Sequence, residues 1–320
     1  MLFRSQQVQE MRDYSNVTVF KTAAVYPVVF RLKMDVEKIP VNMDVMEDML
    51  TISNHNLIDS SKFYADINWD KYFNSTMESI EIVEKMSDFK RLKNIAEVSG
   101  AATVNEAYLV KEFLQDNPCP DFSFKKFINT GGIDPYKSCF GKDAMRYLKG
   151  SYLYPIVPSG DLQNMSEKRY KESNSEKIII GGMTKILECY YDKGEYLAGK
   201  STTIVYNYEH LKYITALLNS KLMTFYYSVF YNSMSLSGGF FRIGAPQIKE
   251  LPIVIPEDDI ILEIEEYVDE IQRLSNSTDD SENDNIRAAH IKKEIDKIVY
   301  NLYGLTDSEV ECVESVFSNY

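Results

Sequence analysis

The sequence predicts an α+β protein, with a loop-rich mixed-β centre that contains one long helix, followed by a C-terminal helical hairpin. Three observations carry this expectation. Residues 90–256 break into short Val/Ile/Tyr segments separated by Gly, Pro and Asn, the pattern of strands joined by turns. Within them, "EHLKYITALLNSKLMTFYYSVFY" sets Leu211, Ile214, Leu217 or Leu218, Leu222 and Phe225 at helical intervals. Near the end, Ile261, Ile264, Val268 and Ile271, then Ile291, Ile295, Ile298 and Leu302, keep a heptad-like rhythm on both sides of the polar link "SNSTDDSEND", which predicts an antiparallel helix pair.

Taken in order, residues 16–34 are rich in Val, Phe and Tyr around one proline and predict two strands or one bent strand. Such a piece is unstable without something to pack on, so the chain is expected to begin inside a larger domain. Residues 35–89 read as a helical linker, with a short helical stretch near 41–50 and a clearer helix opened by Ser75 and Glu78 in capping-box spacing, with Met77, Ile80, Val83 or Glu84, and Met86 at helical intervals. In the centre, "NIAEVSG", "EAYLVKEFL", "KIIIGG", "ILECYYD" and "EYLAGKSTTIVYN" read as strands. After the hairpin, Gly304 suits a helix C-cap, and Thr306 with Glu309 opens a last short helix. The segments are therefore 1–34, 35–89, 90–256 and 257–320.

Composition narrows the class. Of 320 residues, 44% are apolar and 26% charged, ordinary values for a soluble globular protein. No apolar run approaches the roughly 18 residues of a membrane span, and the first residues lack a signal-peptide pattern. Cys119, Cys139, Cys189 and Cys312 form no CxxC pair, and His55, His210 and His290 are scattered, so no metal site is expected and a reducing cytoplasm is. The net charge is −13, but it is unevenly spread: residues 1–84 hold 8 basic and 13 acidic side chains, residues 85–256 hold 22 and 17, and residues 257–320 hold 5 and 18. A polyanion responds to local field more than to the total, and the centre is mildly basic.

Motifs for familiar chemistry fail. Neither GxxxxGK[ST] nor GxGxxG occurs, and "AGKST" at 198–202 lacks the upstream glycine and sits in a strand-like stretch. No GxSxG elbow is present. In "CPDFSFKKF", Asp121 and Lys125 have no carboxylate at the spacing a nuclease site needs. Asp258, Asp259, Glu265 and Glu266 read as solvated helix faces. No catalytic residue is assigned. What remains is a set of donors on glycine-bearing turns: "SGAATVNEAY", "INTGGIDPY", "YKSCFGKDAMRYLKG", "GGMTKI" and "GGFFRIG". Such turns can approach phosphates or base edges closely, or they can be turns that need Gly and Asn for positive φ. Composition alone leaves both readings open.

Six stretches in this order resemble the C-terminal target-recognition region of type IIG restriction–modification enzymes, the TaqI-like specificity domain related to the recognition domains of type I specificity subunits. They are "LKNIAEVSGAATVNEAYLV", "FKKFINTGGIDPY", "KIIIGGMTKILECYYDKGEYLAGKSTTIV", "LLNSKLMTFYYSVF", "SGGFFRIGAPQIKELPIVIP" and "IDKIVYNLYGLTDSEVECVE". Residues 1–34 resemble the last helix and hairpin of the adenine N6-methyltransferase domain that precedes this region in the family. The family's methyl-donor glycine motif and Asn-Pro-Pro-Tyr/Phe motif do not occur, and "NPCP" at 117–120 is not the latter.

The resemblance implies a fragment, or a separately encoded specificity protein, that recognises double-stranded DNA and holds a target adenine for N6-methylation and cleavage by other domains. S-adenosylmethionine and magnesium would belong to those domains and not to this chain. It further implies that Asn129 and Thr130, freed by Gly131 and Gly132, face DNA, that Pro135 fixes the turn, and that Tyr136 anchors it or stacks near the backbone. Lys137, Lys142, Arg146 and Lys149 would sit on phosphates, with Lys185, Lys200 and Arg242 as further contacts and Thr103 and Asn105 on the first glycine-containing turn. The acidic tail would brace the domain or dock on the rest of the enzyme. Two other classes are a protein-interaction module working through the acidic helices, and an acidic DNA mimic, against which the basic centre argues.

Overall fold

A computed structural model of the chain describes residues 7–22, 25–33, 39–65, 69–118, 121, 123–236, 238–275 and 282–317. The chain divides into two compact units, Met1–Lys85 with Tyr226–Ser233, and Met86–Phe225 with Met234–Tyr320.

The first unit is built on a four-stranded sheet in the order Val28–Lys33, Gln7–Asp13, Val41–Met46, Ile52–Ile58. The central pair is parallel and the two outer pairs antiparallel. Val8, Val41, Met43, Val45 and Ile58 form its core with Phe63 and Tyr72. Residues 41–46 correct the expected helix. Val41, Met43 and Val45 recur at every second position, so the period-2 signal of a half-buried strand prevails. The stretch expected as a helical linker thus supplies two strands as well as the helices Ser60–Ala65, Lys71–Asn74 and Met77–Lys85. Thr76, not Ser75, caps the last of these, its Oγ1 accepting from the Ser79 N–H at 3.2 Å. Among the described residues of 16–34 the strand is Val28–Lys33, paired with Gln7–Asp13. Residues 1–6, where the expected methyltransferase helix would begin, lie outside the described residues, as does Cys119.

The second unit holds several open sheets. The main one runs Cys189–Asp192, Lys177–Gly181, Thr202–Tyr206, Glu97–Gly100, all antiparallel. Ile178, Ile179 and Ile180 are each fully buried. An unbroken apolar run is what a strand covered on both faces requires. A second sheet runs Tyr196–Ala198, Phe124–Ile128, Pro155–Pro158, Gln115–Asp116. A third, small sheet joins Met183–Thr184, Phe240–Arg242 and Ser235–Leu236. Lys90–Arg91 pairs with Pro252–Ile253, so the two ends of the segment 90–256 lie side by side.

Two expectations in this unit are corrected. "EAYLVKEFL" is not a strand but lies in the helix Val104–Phe113, opened by a full capping box between Thr103 and Glu106. The single long helix is two, Leu211–Asn219 and Lys221–Phe230, because Ser220 is extended at ψ 151°. The break has a cause on each side. Asn219 pairs its amide with both main-chain groups of Cys189, at 2.9 and 2.8 Å, and Ser220 Oγ caps the second helix by accepting from the Met223 N–H at 3.2 Å.

The tail forms the expected hairpin, Asp258–Ser275 and Glu282–Leu302. Ile261, Ile264, Val268, Ile271, Ile291 and Ile295 are buried, and the Arg287–Glu270 ion pair spans the two helices. Gly304, at φ 66°, ends the second helix with the Leu305 N–H returning to Tyr300 O, and Thr306 with Glu309 forms the capping box of Asp307–Val316. The hairpin packs on the centre, where Gln272 donates to Tyr191 O at 2.9 Å and Tyr303 to Pro252 O at 2.8 Å. No helix among the described residues is long and apolar enough to cross a membrane.

Candidate nucleic-acid interface

Three strands of the main sheet end at one place: Lys177–Gly181 at Gly181, Glu97–Gly100 at Gly100, and Thr202–Tyr206 at Thr202. Their ends, the Thr130–Gly132 turn and the exit of Phe240–Arg242 enclose an open cleft of about 840 Å³. The segments are joined mainly through backbone. The Gly182 N–H donates both to Ser201 O and to Thr130 Oγ1, each at 3.0 Å, and Ile243 N–H donates to Gly182 O at 3.0 Å. Thr130 Oγ1 in turn donates to Ser201 O. Asn129 Oδ1 accepts from the Ser201 N–H at 3.1 Å, and Gly199 N–H donates to Ile128 O at 2.7 Å.

Glycine is needed where these segments approach. A Cβ on Gly182 would lie 2.4 Å from Ser201 O, and one on Gly199 would lie 2.7 Å from Asn129 Oδ1. Gly182 in "IGGMT" and Gly199 in "AGKST" therefore mark close approach of neighbouring segments rather than flexible loops.

Arg146, Lys200 and Arg242 are exposed and line this cleft, and among the described residues no carboxylate does. Asn129 and Thr130 line it as well, which brings five of the sequence-derived candidates together. Both serve the frame: Asn129 is buried and holds the 199–202 turn, and Thr130 ties that turn to Gly182. Lys185 stands beside the cleft with its Nζ 5.5 Å from the centre of the Phe240 ring.

The other candidates lie apart from the cleft lining. Thr103 is occupied as a helix cap, and Asn105 follows it as an exposed residue of the same helix. Tyr136 is buried, as an anchor of the turn would be. Its ring lies in the core, its hydroxyl is 3.5 Å from Ala216 O, and its N–H donates to Cys189 O. Burial also pushes its phenol well above the usual range. Pro135 and Tyr136 join the paired strands Ile133–Asp134 and Lys137–Ser138, with Tyr136 at φ 65° as the second turn residue of a Pro-led turn requires. Lys142 donates to Ser275 O at 2.8 Å, at the end of the first tail helix. Lys149 occupies a hairpin turn with Leu148, at φ 67° and 40°.

Met183 and Phe240 are not among the sequence-derived candidates. Both are exposed beside the cations, 51% and 39% respectively. The one sequence signal was an aromatic directly after two glycines in "GGFFR". No group of three or more His, Cys, Asp or Glu side chains among the described residues is arranged to hold a metal ion.

The frame predicts a measurable cost. Thr130→Val keeps the shape but removes both hydroxyl bonds while Gly182 N–H and Ser201 O stay bonded to each other, and should lower stability by about 0.5–1.5 kcal/mol in urea unfolding, whereas Thr130→Ser should stay near the parent.

The family described as the TaqI-like C-terminal specificity domain matches residues 136–253. Among solved structures, the type IIL restriction-modification enzyme MmeI in complex with DNA is 12% identical, with a TM-score of 0.49 over 100% of this chain and 46% of that one. The type IIG restriction endonuclease BpuSI is 11% identical, with a TM-score of 0.42 over 94% of this chain and 44% of that one. This chain thus spans less than half the length of either. No curated protein matches. The segment 136–253, which carries Arg146, Lys200 and Arg242, is similar to a TaqI-like C-terminal specificity domain.

Proposed function

We infer that this chain recognises double-stranded DNA as the specificity part of a restriction–modification enzyme of the type IIG kind, working in the cytoplasm. One observation carries the reading. Arg146, Lys200 and Arg242, from three distant segments, meet in a carboxylate-free cleft with Asn129 and Thr130. A cleft of one charge sign focuses field on a polyanion. The specificity-domain match over 136–253 supports the same reading.

In the finer form of this proposal, the cations hold phosphates while the frame sets their spacing, and the bound duplex is presented so that a target adenine is flipped out for N6-methylation. In this proposal that chemistry, with its S-adenosylmethionine and magnesium, is supplied by domains other than this one. The acidic hairpin braces the cleft-bearing unit. Its main apolar stripe, Ile261, Ile264, Val268, Ile271, Ile291 and Ile295, is buried, while Leu262 and Ile286 stand exposed on the outer side.

The test is binding of the 320-residue chain to a fluorescent random-sequence duplex, titrated from about 50 to 200 mM salt. Several phosphate contacts should make affinity fall steeply, by roughly tenfold or more across that range. A flat response, or no binding at low salt, would remove the reading.

A further inference from the structure

The small sheet beside the cleft has two unlike faces. In its register Met183 opposes Arg242, Thr184 opposes Phe241, and Leu236 opposes Phe240. Directly opposed residues share a face. Thr184 and Phe241 are buried, at 4% and 8% exposure. Met183 and Arg242 therefore lie on the other face, and Phe240 follows by alternation along its strand. That outer face carries an exposed thioether, an exposed ring and a guanidinium, with the Lys185 ammonium 5.5 Å from the ring centre. Gly238 and Gly239, at φ 83° and 77°, form the turn that leads into Phe240. The face is continuous with the cleft, because Met183 and Arg242 line both.

We propose that Phe240 lies against a nucleobase of the bound DNA, with Lys185 and Arg242 on the phosphates to either side. The inference rests on the DNA-binding reading above and adds a base contact to it. A nucleotide offers a π-face beside an anion, and this strip offers an aromatic ring between two cations. In a duplex this face is covered by neighbouring base pairs, so the contact is made with a base that has left the stack; it tolerates sequence variation and is insensitive to salt, because no counterion is released by it. The Lys185 ammonium beside the ring restrains it before DNA arrives, which lowers the ordering cost of binding.

The experiment compares the full chain with Phe240→Ala, Phe240→Leu and Lys200→Ala on a fluorescein-labelled random-sequence duplex over a salt series, with the unfolding midpoint of each variant measured alongside. Both Phe240 variants should bind roughly tenfold more weakly while the salt slope stays at the parental value. Lys200→Ala should instead flatten the slope by about 0.9. Parental affinity in Phe240→Ala, or full retention in Phe240→Leu, overturns the base contact and leaves the DNA-binding reading standing. A loss of affinity that comes with a flatter slope also overturns it, since the ring would then act only by placing Lys185. If the parent chain itself binds no DNA, the underlying reading fails and this one with it.

Discussion

Replacing Lys177 by methionine should destabilise the cleft-bearing unit by about 3–5 kcal/mol, among the largest effects of any single substitution in the chain. Lys177 and Asp192 face each other across paired strands, 1% and 0% exposed, with Nζ 2.5 Å from Oδ2. Burial pulls the ammonium down and pushes the carboxyl up, and each is drawn back by the other. Removing the cation leaves a carboxyl sealed from water, still holding the Glu195 and Tyr196 N–H groups at 2.8 and 3.2 Å. The double variant Lys177→Met/Asp192→Asn, which removes both charges, should recover much of the loss. Urea unfolding of the two variants checks this, and equal destabilisation of both would mean that packing rather than charge sets the cost.

The second large effect is on binding. The triple variant Arg146→Ala/Lys200→Ala/Arg242→Ala should weaken duplex binding and flatten its dependence on salt. Each cation that sits on a phosphate contributes about 0.9 to the slope of log affinity against log salt, so three contribute about 2.7. A fourfold rise in salt should then cost the parent roughly 40-fold more affinity than it costs the variant. Single variants refine this. An arginine that reads a base edge instead should cost about 1–3 kcal/mol and relax sequence preference, with little change in slope. Since all three side chains are exposed, the unfolding midpoint should hardly move.

Much of the fold is legible in the sequence wherever one local pattern meets no rival. "KIIIGG" is a covered strand, the isoleucine rhythm of the tail is a helix pair, and Thr306 with Glu309 is a capping box, all for reasons within a few residues. The readings that failed had competing signals. "VNMDVM" holds a period-2 pattern inside a stretch that otherwise reads as a helix, and "EAYLVKEFL" reads as a strand on its Val and Tyr although Thr103 and Glu106 stand in capping-box spacing. The Asn-Ser pair that breaks the long helix depends on Cys189, thirty residues away, which no local pattern encodes. The candidate site was half legible for the same reason. Its donors could be seen as residue types, but their meeting depends on which strand ends lie together. Thr130 and Asn129 illustrate the limit. Both belong to the cleft, yet their partners are a carbonyl and amides from turns fifty to seventy positions on, so they serve the frame that the exposed cations stand on.

That frame bears on how such a protein changes over generations. Its closure uses main-chain groups, one hydroxyl, one side-chain amide and two glycines, and none of these bonds involves the side chains of Arg146, Lys200 or Met183. The outward positions can therefore be exchanged without loosening what holds the turns together. What the cleft presents can change from one lineage to the next while its architecture is inherited unchanged.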